Sequence, residues 1–227
     1  LARSASSGKV SEDGNISQSA ATIVADALRV NILHHTLEGG ERLRQDAIAA
    51  RFGVSQMIVR EAFKQLASEG FLKLEPRRGV SVAVMGADEA WEITQLRSLI
   101  EAEALQWAIP EMTQDDLAQA RRILVELDKA KSIDKIILLN ARFHETLYSP
   151  CKRERTLSLI ATLRTNFERY LRFTWQETLH REQSQLEHWD ILTLCEKKDS
   201  HRAAAALKKH ISATGDLLAE RLRSDTR

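Results

Sequence analysis

The segment Arg51–Leu72 constrains this chain more than any other. It reads RFGVSQMIVREAFKQLASEGFL, a helix end and a tight turn at Gly53, followed by a second helix opened by Ser55. Glycine enters left-handed backbone without steric cost, and a serine ahead of an amphipathic run accepts a backbone N–H as an N-cap. Val59, Ala62, Phe63 and Leu66 give the second helix one apolar stripe, and Gly70 ends it. Phe71 to Val84 then alternates as a hairpin should, with Pro76-Arg77-Arg78-Gly79 at its tip. Helix, turn, helix and basic-tipped hairpin make a winged helix-turn-helix, which lays one helix in a DNA major groove.

The flanking segments fill in the organisation. Leu1 to Ser17 is rich in Ser, Gly and charge, lacks periodicity, and reads as a disordered tail. From Gln18 to His35, Ile23, Ala27, Val30 and His34 recur at helical spacing, with Val24 and Leu28 beside them, and Gly39-Gly40 closes that helix. Leu43 to Phe52 reads as a short helix. Residues 18–85 thus form one DNA-binding domain. Beyond Met85-Gly86 the periodicity is helical as far as Arg223, with breaks near Pro110, Ser132, Pro150, Thr178 and Asp199. The helices fall at about 87–108, 113–130, 133–148, 152–175, 180–197 and 199–223. Six helices with short links predict an antiparallel all-α bundle over 86–227, so the chain is mainly α.

Composition excludes several classes. Among 227 residues there are only nine glycines and three prolines, and aromatics make up 5%, which suits long helices. No apolar run approaches the ~20 residues that span a bilayer, and no signal peptide is visible, so a cytoplasmic protein without membrane partners is expected. Two cysteines, Cys151 and Cys195, are too few for a disulfide scaffold. The net charge is +1. DNA affinity must therefore come from a few placed arginines, with a homodimer doubling the phosphate contacts on palindromic half-sites of double-stranded DNA.

The DNA-binding segment carries a family resemblance. Gly40-Glu-Arg-Leu, Ala49-x-x-Phe52-Gly53-Val54-Ser55, Val59-Arg60-Glu61-Ala62, Leu66-Ala-x-Glu-Gly70 and the Gly79 wing resemble the GntR family of bacterial regulators. Ser55, Gln56 and Met57 stand at the N-terminal end of the recognition helix, within reach of base edges, and Arg60 lies one turn on, able to pair with guanine or phosphate. Arg78 and Gly79 form the wing tip, which in the family approaches the minor groove. Arg44 is either a phosphate contact or a solvated side chain. Where the family usually has Arg after the turn serine and Pro or Thr before Val-Arg, this chain has Gln56 and Ile58, and Gln suits adenine better than guanine.

The helical part interrupts its apolar stripes with polar residues. Asn140 and His144 share a helix face with Ile137 and Leu147. His188 runs into Ile191, Leu192 and Cys195, and His210 lies between Leu207 and Leu217, with Thr214 one turn along. Spacing leaves two readings open: core histidines satisfied by hydrogen bonds, or imidazoles gathered round a metal. Asn140-x-x-Phe143-His144, Glu187-His188 and Lys209-His210-Ile211 resemble the FCD ligand-binding domain of the FadR subfamily. That resemblance implies a divalent metal held at Asn140, His144, His188 and His210, and a small carboxylate effector beside it. The departure is Asn140 where the family has Asp. Three nitrogens and one oxygen suit Zn²⁺ or Ni²⁺, and Mn²⁺ less well.

Arg97 and Glu101 share a face of the first bundle helix with Ile93 and Ile100. They read either as an intrahelical ion pair or, as in the family, as contacts for the effector, where Arg grips a carboxylate with two parallel hydrogen bonds. Arg164 is a further candidate on the stripe of Leu157, Ile160 and Leu171. His34, His35, His180 and His201 read as solvent-facing or capping, and the four tryptophans as packing. The leading expectation is a ligand-responsive transcriptional regulator, more often a repressor in this family. The alternatives are a metal-free acyl-CoA or lipid sensor and a metal-dependent enzyme. An enzyme is disfavoured, because Glu145 and Glu187 adjoin ligands in sequence and so should point away from them.

Overall fold

A computed structural model describes residues 12–34, 36–75, 77, 79–175 and 178–224; for 12–19, 166, 168–169, 171–175 and 178–179 it describes the backbone alone. The chain divides into two compact units, Leu1–Val84 and Met85–Arg227. No helix among the described residues is long and apolar enough to cross a membrane.

The first unit runs α1 (Glu12–Leu33), β1 (Arg42–Leu43), α2 (Gln45–Phe52), α3 (Gln56–Ser68), β2 (Leu72–Glu75) and β3 (Gly79–Val82). The three strands form an antiparallel sheet in the order β1-β3-β2, with Leu72 opposite Val82 and Arg42 opposite Ser81. α1 begins at Glu12, inside the stretch read as a tail; Leu1 to Ser11 lie outside the described residues. The buried face of α1 is Val24, Ala25, Leu28 and Ile32, which meet Val59, Phe63, Leu66 and Phe71 in the core. This corrects the sequence reading, since Ile23 and Val30 are 62% and 53% exposed. Both stripes have helical spacing, and only the neighbours decide which is buried.

A second correction concerns the expected helix from Leu43. Arg42 and Leu43 pair with β3 instead, Leu43 is buried, and α2 starts at Gln45 after Arg44 in extended backbone. Gly53 then caps α2 at φ 63°, where only glycine turns freely. Ser55 follows in extended backbone, and its Oγ accepts the Ile58 N–H at 3.4 Å. Arg29 of α1 ties down the far end of α3 through Glu69, with Nε 2.8 Å from Oε2.

The second unit is α4 (Ala87–Glu111), α5 (Gln114–Lys129), α6 (Ile133–Tyr148), a single 3-10 turn at Ser149–Cys151, α7 (Glu154–Trp175), α8 (Thr178–Glu196) and α9 (Ser200–Ser224). Neighbours close into a ring, α4 on α9, α9 on α8, α8 on α5, α5 on α6, α6 on α7 and α7 on α4. Pro110 does not break α4 but sits in its last turn. There the missing N–H costs one backbone bond and no continuation is needed. Thr113 opens α5 with a reciprocal capping box to Asp116. α9 approaches α4 closely at Gly215, where a Cβ would come within 2.1 Å of the Thr94 side chain.

Candidate metal centre and DNA-reading helix

Three helices of the ring each send one histidine inward. His144 (α6), His188 (α8) and His210 (α9) are 2%, 1% and 5% exposed. One ring nitrogen from each lies within 4.8 Å of the other two. His188 Nε2 and His210 Nε2 are 3.2 Å apart.

The outward nitrogens decide the tautomers. His210 Nδ1 is 2.9 Å from Glu187 Oε2, a carboxylate that can only accept, so Nδ1 carries the proton. His188 Nδ1 is 3.1 Å from Gln185 Oε1. That amide is oriented by its own NH₂, which donates to Asp128 at 2.8 Å, so His188 Nδ1 is also a donor. His144 Nδ1 is 3.0 Å from the Tyr148 hydroxyl, which gives its proton to Glu101 Oε2 at 2.7 Å and accepts from His144. In the neutral form of each ring, Nε2 is then the unprotonated acceptor. Burial first, then the positive charge of Arg164, hold His144 well below the ordinary imidazole value. Burial does the same to His188.

Asn140 stands one turn before His144, 4% exposed. Its Oδ1 is buried and has no hydrogen-bond donor among the described residues. A buried orphan of this kind costs about 1–3 kcal/mol. Three nitrogen lone pairs and an oxygen without a donor form a set that fits a divalent transition metal.

Beside this set lies a buried charge cluster. Glu101 (α4) is fully buried and receives Arg97 Nε at 2.7 Å, Arg164 Nη1 (α7) at 3.2 Å and the Tyr148 hydroxyl. Burial alone would raise its pKa, but the two guanidinium groups and the Tyr148 hydrogen bond more than offset this and hold it below the usual carboxylate value. Tyr148 is pushed well up by burial and by the Glu101 charge, so it stays a phenol. Arg97 also lies over the Phe167 ring at 4.8 Å. The three candidates from sequence thus come together, and the Arg97–Glu101 ion pair exists as one half of a larger network. A cavity of about 260 Å³ opens beside Tyr148 and Arg164, and one of about 570 Å³ beside Ser184 and His188.

Two sequence expectations change here. Glu187 stays off the Nε2 side of the histidines, but it is engaged: it reaches sideways from α8 to His210 Nδ1 on α9, because the next helix brings that ring alongside. His180 is half-buried rather than solvent-facing, with Nε2 3.4 Å from Thr214 Oγ1. Tyr148 and Gln185 were not anticipated. Only the i,i+4 step from His144 and the i,i+3 step to His188 could have signalled them.

In the first unit Ser55, Gln56, Met57 and Arg60 are exposed at the start of α3, opposite Val59, Ala62, Phe63 and Leu66, which are buried. Arg44 is exposed and ion-paired to Asp46 at 2.6 Å. Gly79 is exposed at the start of β3, while Arg78 lies outside the described residues.

Comparison with known proteins agrees with both halves. Residues 20–82 match the bacterial regulatory proteins of the gntR family, and residues 92–213 match the FCD domain. The chain is 31% identical over 193 residues to the HTH-type transcriptional regulator YdhC of Bacillus subtilis, covering 82% of this chain and 83% of that one. It is 25% identical over 190 residues to the HTH-type transcriptional repressor RspR of Escherichia coli, covering 81% and 82%. A crystal structure of a GntR family transcriptional regulator from Pseudomonas syringae pv. tomato superposes with a TM-score of 0.56 at 34% identity, covering 90% of this chain and 88% of that one. A winged helix with an exposed reading edge, joined to an FCD bundle, places this chain in the GntR family: it is a DNA-binding transcriptional regulator and not an enzyme.

Proposed function

We propose that the protein is a cytoplasmic, homodimeric repressor whose helical unit binds a divalent transition metal, Zn²⁺ or Ni²⁺, together with a small carboxylate that modulates operator binding. Asn140, His144, His188 and His210 would hold the metal. The observation that carries this reading is the convergence of three imidazoles whose Nδ1 protons are all engaged outward, next to the unpartnered Asn140 Oδ1. When bound, the metal supplies open coordination positions and positive field for an anionic oxygen. Arg97 and Arg164 place two guanidinium groups in the cluster, and a guanidinium can grip a ligand carboxylate with paired hydrogen bonds. Cavities of about 260 Å³ beside Arg164 and about 570 Å³ beside His188 give room for a small ligand.

On the DNA side, Gln56, Met57 and Arg60 would meet base edges, with Ser55, Arg44, Arg78 and Gly79 at the backbone and wing. The repressor name of the Escherichia coli relative supports the sign of control. Effector and operator would be coupled by ~1–3 kcal/mol, and each must weaken the other equally.

Elemental analysis of untagged protein decides the metal, with wild type set against a His144→Ala/His210→Ala variant. About one equivalent in wild type and none in the variant is expected. Equal, near-zero metal in both refutes the reading. Thermal-shift screening of small carboxylates with and without chelator then tests the effector: stabilisation should require metal.

A further inference from the structure

Every donor assigned to the metal is neutral. Asn140 contributes an amide oxygen, and an imidazole binds a metal in its neutral form. A dication placed among them meets no formal negative charge from its own ligands. A carboxylate behind one of the ligands would offset part of that charge.

The three outward acceptors differ in this respect. Gln185 offers His188 a neutral amide oxygen, and Tyr148 offers His144 a neutral phenol. The Glu101 charge behind Tyr148 is already shared between two guanidinium groups. Glu187 alone of the three places a carboxylate directly on a ligand ring, 2.9 Å from His210 Nδ1. Its other oxygen is held by Gln183, whose Nε2 donates at 3.2 Å. Consecutive residues on a helix point about 100° apart. Hence α8 sends His188 into the ring while Glu187 turns to grip the neighbouring helix. One turn of α8 thereby supplies one ligand and aims another.

We propose that Glu187 is the charge-compensating positioning residue of the metal centre. It holds His210 with the Nε2 lone pair toward the site and supplies, from behind the ligand, the negative charge that Asn140 does not carry. A carboxylate accepting from the distal nitrogen of a ligating imidazole fixes its tautomer and raises its basicity, and losing one typically costs ~10–100-fold in metal affinity. The inference rests on the metal reading above.

The test is chelator-competition titration of Ni²⁺ or Zn²⁺ into untagged wild type, Glu187→Gln, Asn140→Asp and the double variant, with metal-free melting temperatures recorded alongside. Glutamine keeps the size and an accepting oxygen and removes only the charge. Glu187→Gln should weaken binding by ~10–100-fold and leave the metal-free melting temperature in place. Asn140→Asp should tighten binding, and adding it to Glu187→Gln should recover most of the loss. Equal affinity in wild type and Glu187→Gln overturns the proposal. So does a fall in metal-free melting temperature that accounts for the loss, since Glu187 would then be a packing residue, or a failure of Asn140→Asp to rescue. A wild type that takes up no metal instead refutes the metal reading itself, so the two failures are distinct.

Discussion

His188 Nε2 and His210 Nε2 face each other at 3.2 Å. With both rings neutral and their protons on Nδ1, bonded outward to Gln185 and Glu187, two lone pairs at that distance repel. A shared cation relieves the conflict. Saturating Zn²⁺ or Ni²⁺ at a hundredfold excess over Kd should stabilise the fold by ~2.7 kcal/mol. For a chain of this length that raises Tm by roughly 5–10 °C. Scanning fluorimetry should show the shift in wild type and none in His188→Ala/His210→Ala; a shift that survives in the variant would put the metal elsewhere.

Glu101 is the keystone of the charge cluster, and removing its charge should be costly. Glu101→Gln takes the carboxylate charge away from buried Arg97 and Arg164, for which a loss of ~3–5 kcal/mol is expected. The sign of the pH effect follows from its depressed pKa. Its contribution is fully present above the unfolded carboxylate value and is lost as pH falls through the lower folded one. Urea denaturation from pH 7 to pH 3 should give wild type a steeper acid limb than Glu101→Gln. Parallel limbs would contradict the assignment.

Gly215→Ala should destabilise, although alanine is the better helix former by ~1 kcal/mol. The new Cβ would lie 2.1 Å from Thr94 Cγ2 and Oγ1 and 2.6 Å from its Cβ. Overpacking of this kind costs ~1–3 kcal/mol. Thr94→Ala in the same chain should recover only part, because Thr94 Cβ remains in place. Chemical denaturation checks both.

How much of this was legible beforehand depended on whether the partner lay in the same segment. Gly53, Ser55 and the stripe from Val59 to Leu66 declare the helix-turn-helix, because each acts on its own few residues. The inward stripes of α6, α8 and α9 likewise marked His144, His188 and His210. α1 was misread because Ile23-Ala27-Val30 and Val24-Leu28-Ile32 have equivalent spacing, and only Phe63 and Leu66 choose between them. β1 is two residues long and exists through its pairing with β3, which no local pattern announces. Glu187 was dismissed by helix geometry that is correct within α8 and silent about α9.

Ser55 and Arg60 should separate stability from DNA affinity. Ser55→Ala removes the hydroxyl that caps α3 and should cost about 1 kcal/mol. Arg60→Ala, on the exposed face, should leave stability within ~0.5 kcal/mol yet weaken operator binding by ~1–3 kcal/mol if it reads a base. Gel retardation and melting curves on both variants settle it; undiminished retardation by Arg60→Ala removes that residue from the interface.

The two cysteines should react unequally. Cys195 is wholly buried, and burial with the neighbouring Glu196 charge pushes its thiol up to about 12. Cys151 is partly exposed. Mass spectrometry after brief maleimide treatment at pH 8 should find one adduct per folded chain, at Cys151, and two only after unfolding. Early labelling of Cys195 would mean that the bundle opens there.

The closed ring of six helices has a consequence for how the protein comes into being. The polar interior draws on α4, α6, α7, α8 and α9, from Arg97 to His210. No pair of consecutive helices can assemble it. Such distant contacts form late, after the chain has met the entropy of closing long loops. Until the helices meet, the bonds from Arg164 to Glu101 and from His210 to Glu187 are unmade, and only pairs within one helix, such as Arg97–Glu101 and His144–Tyr148, are available. The histidine centre is therefore complete only in molecules that have finished folding.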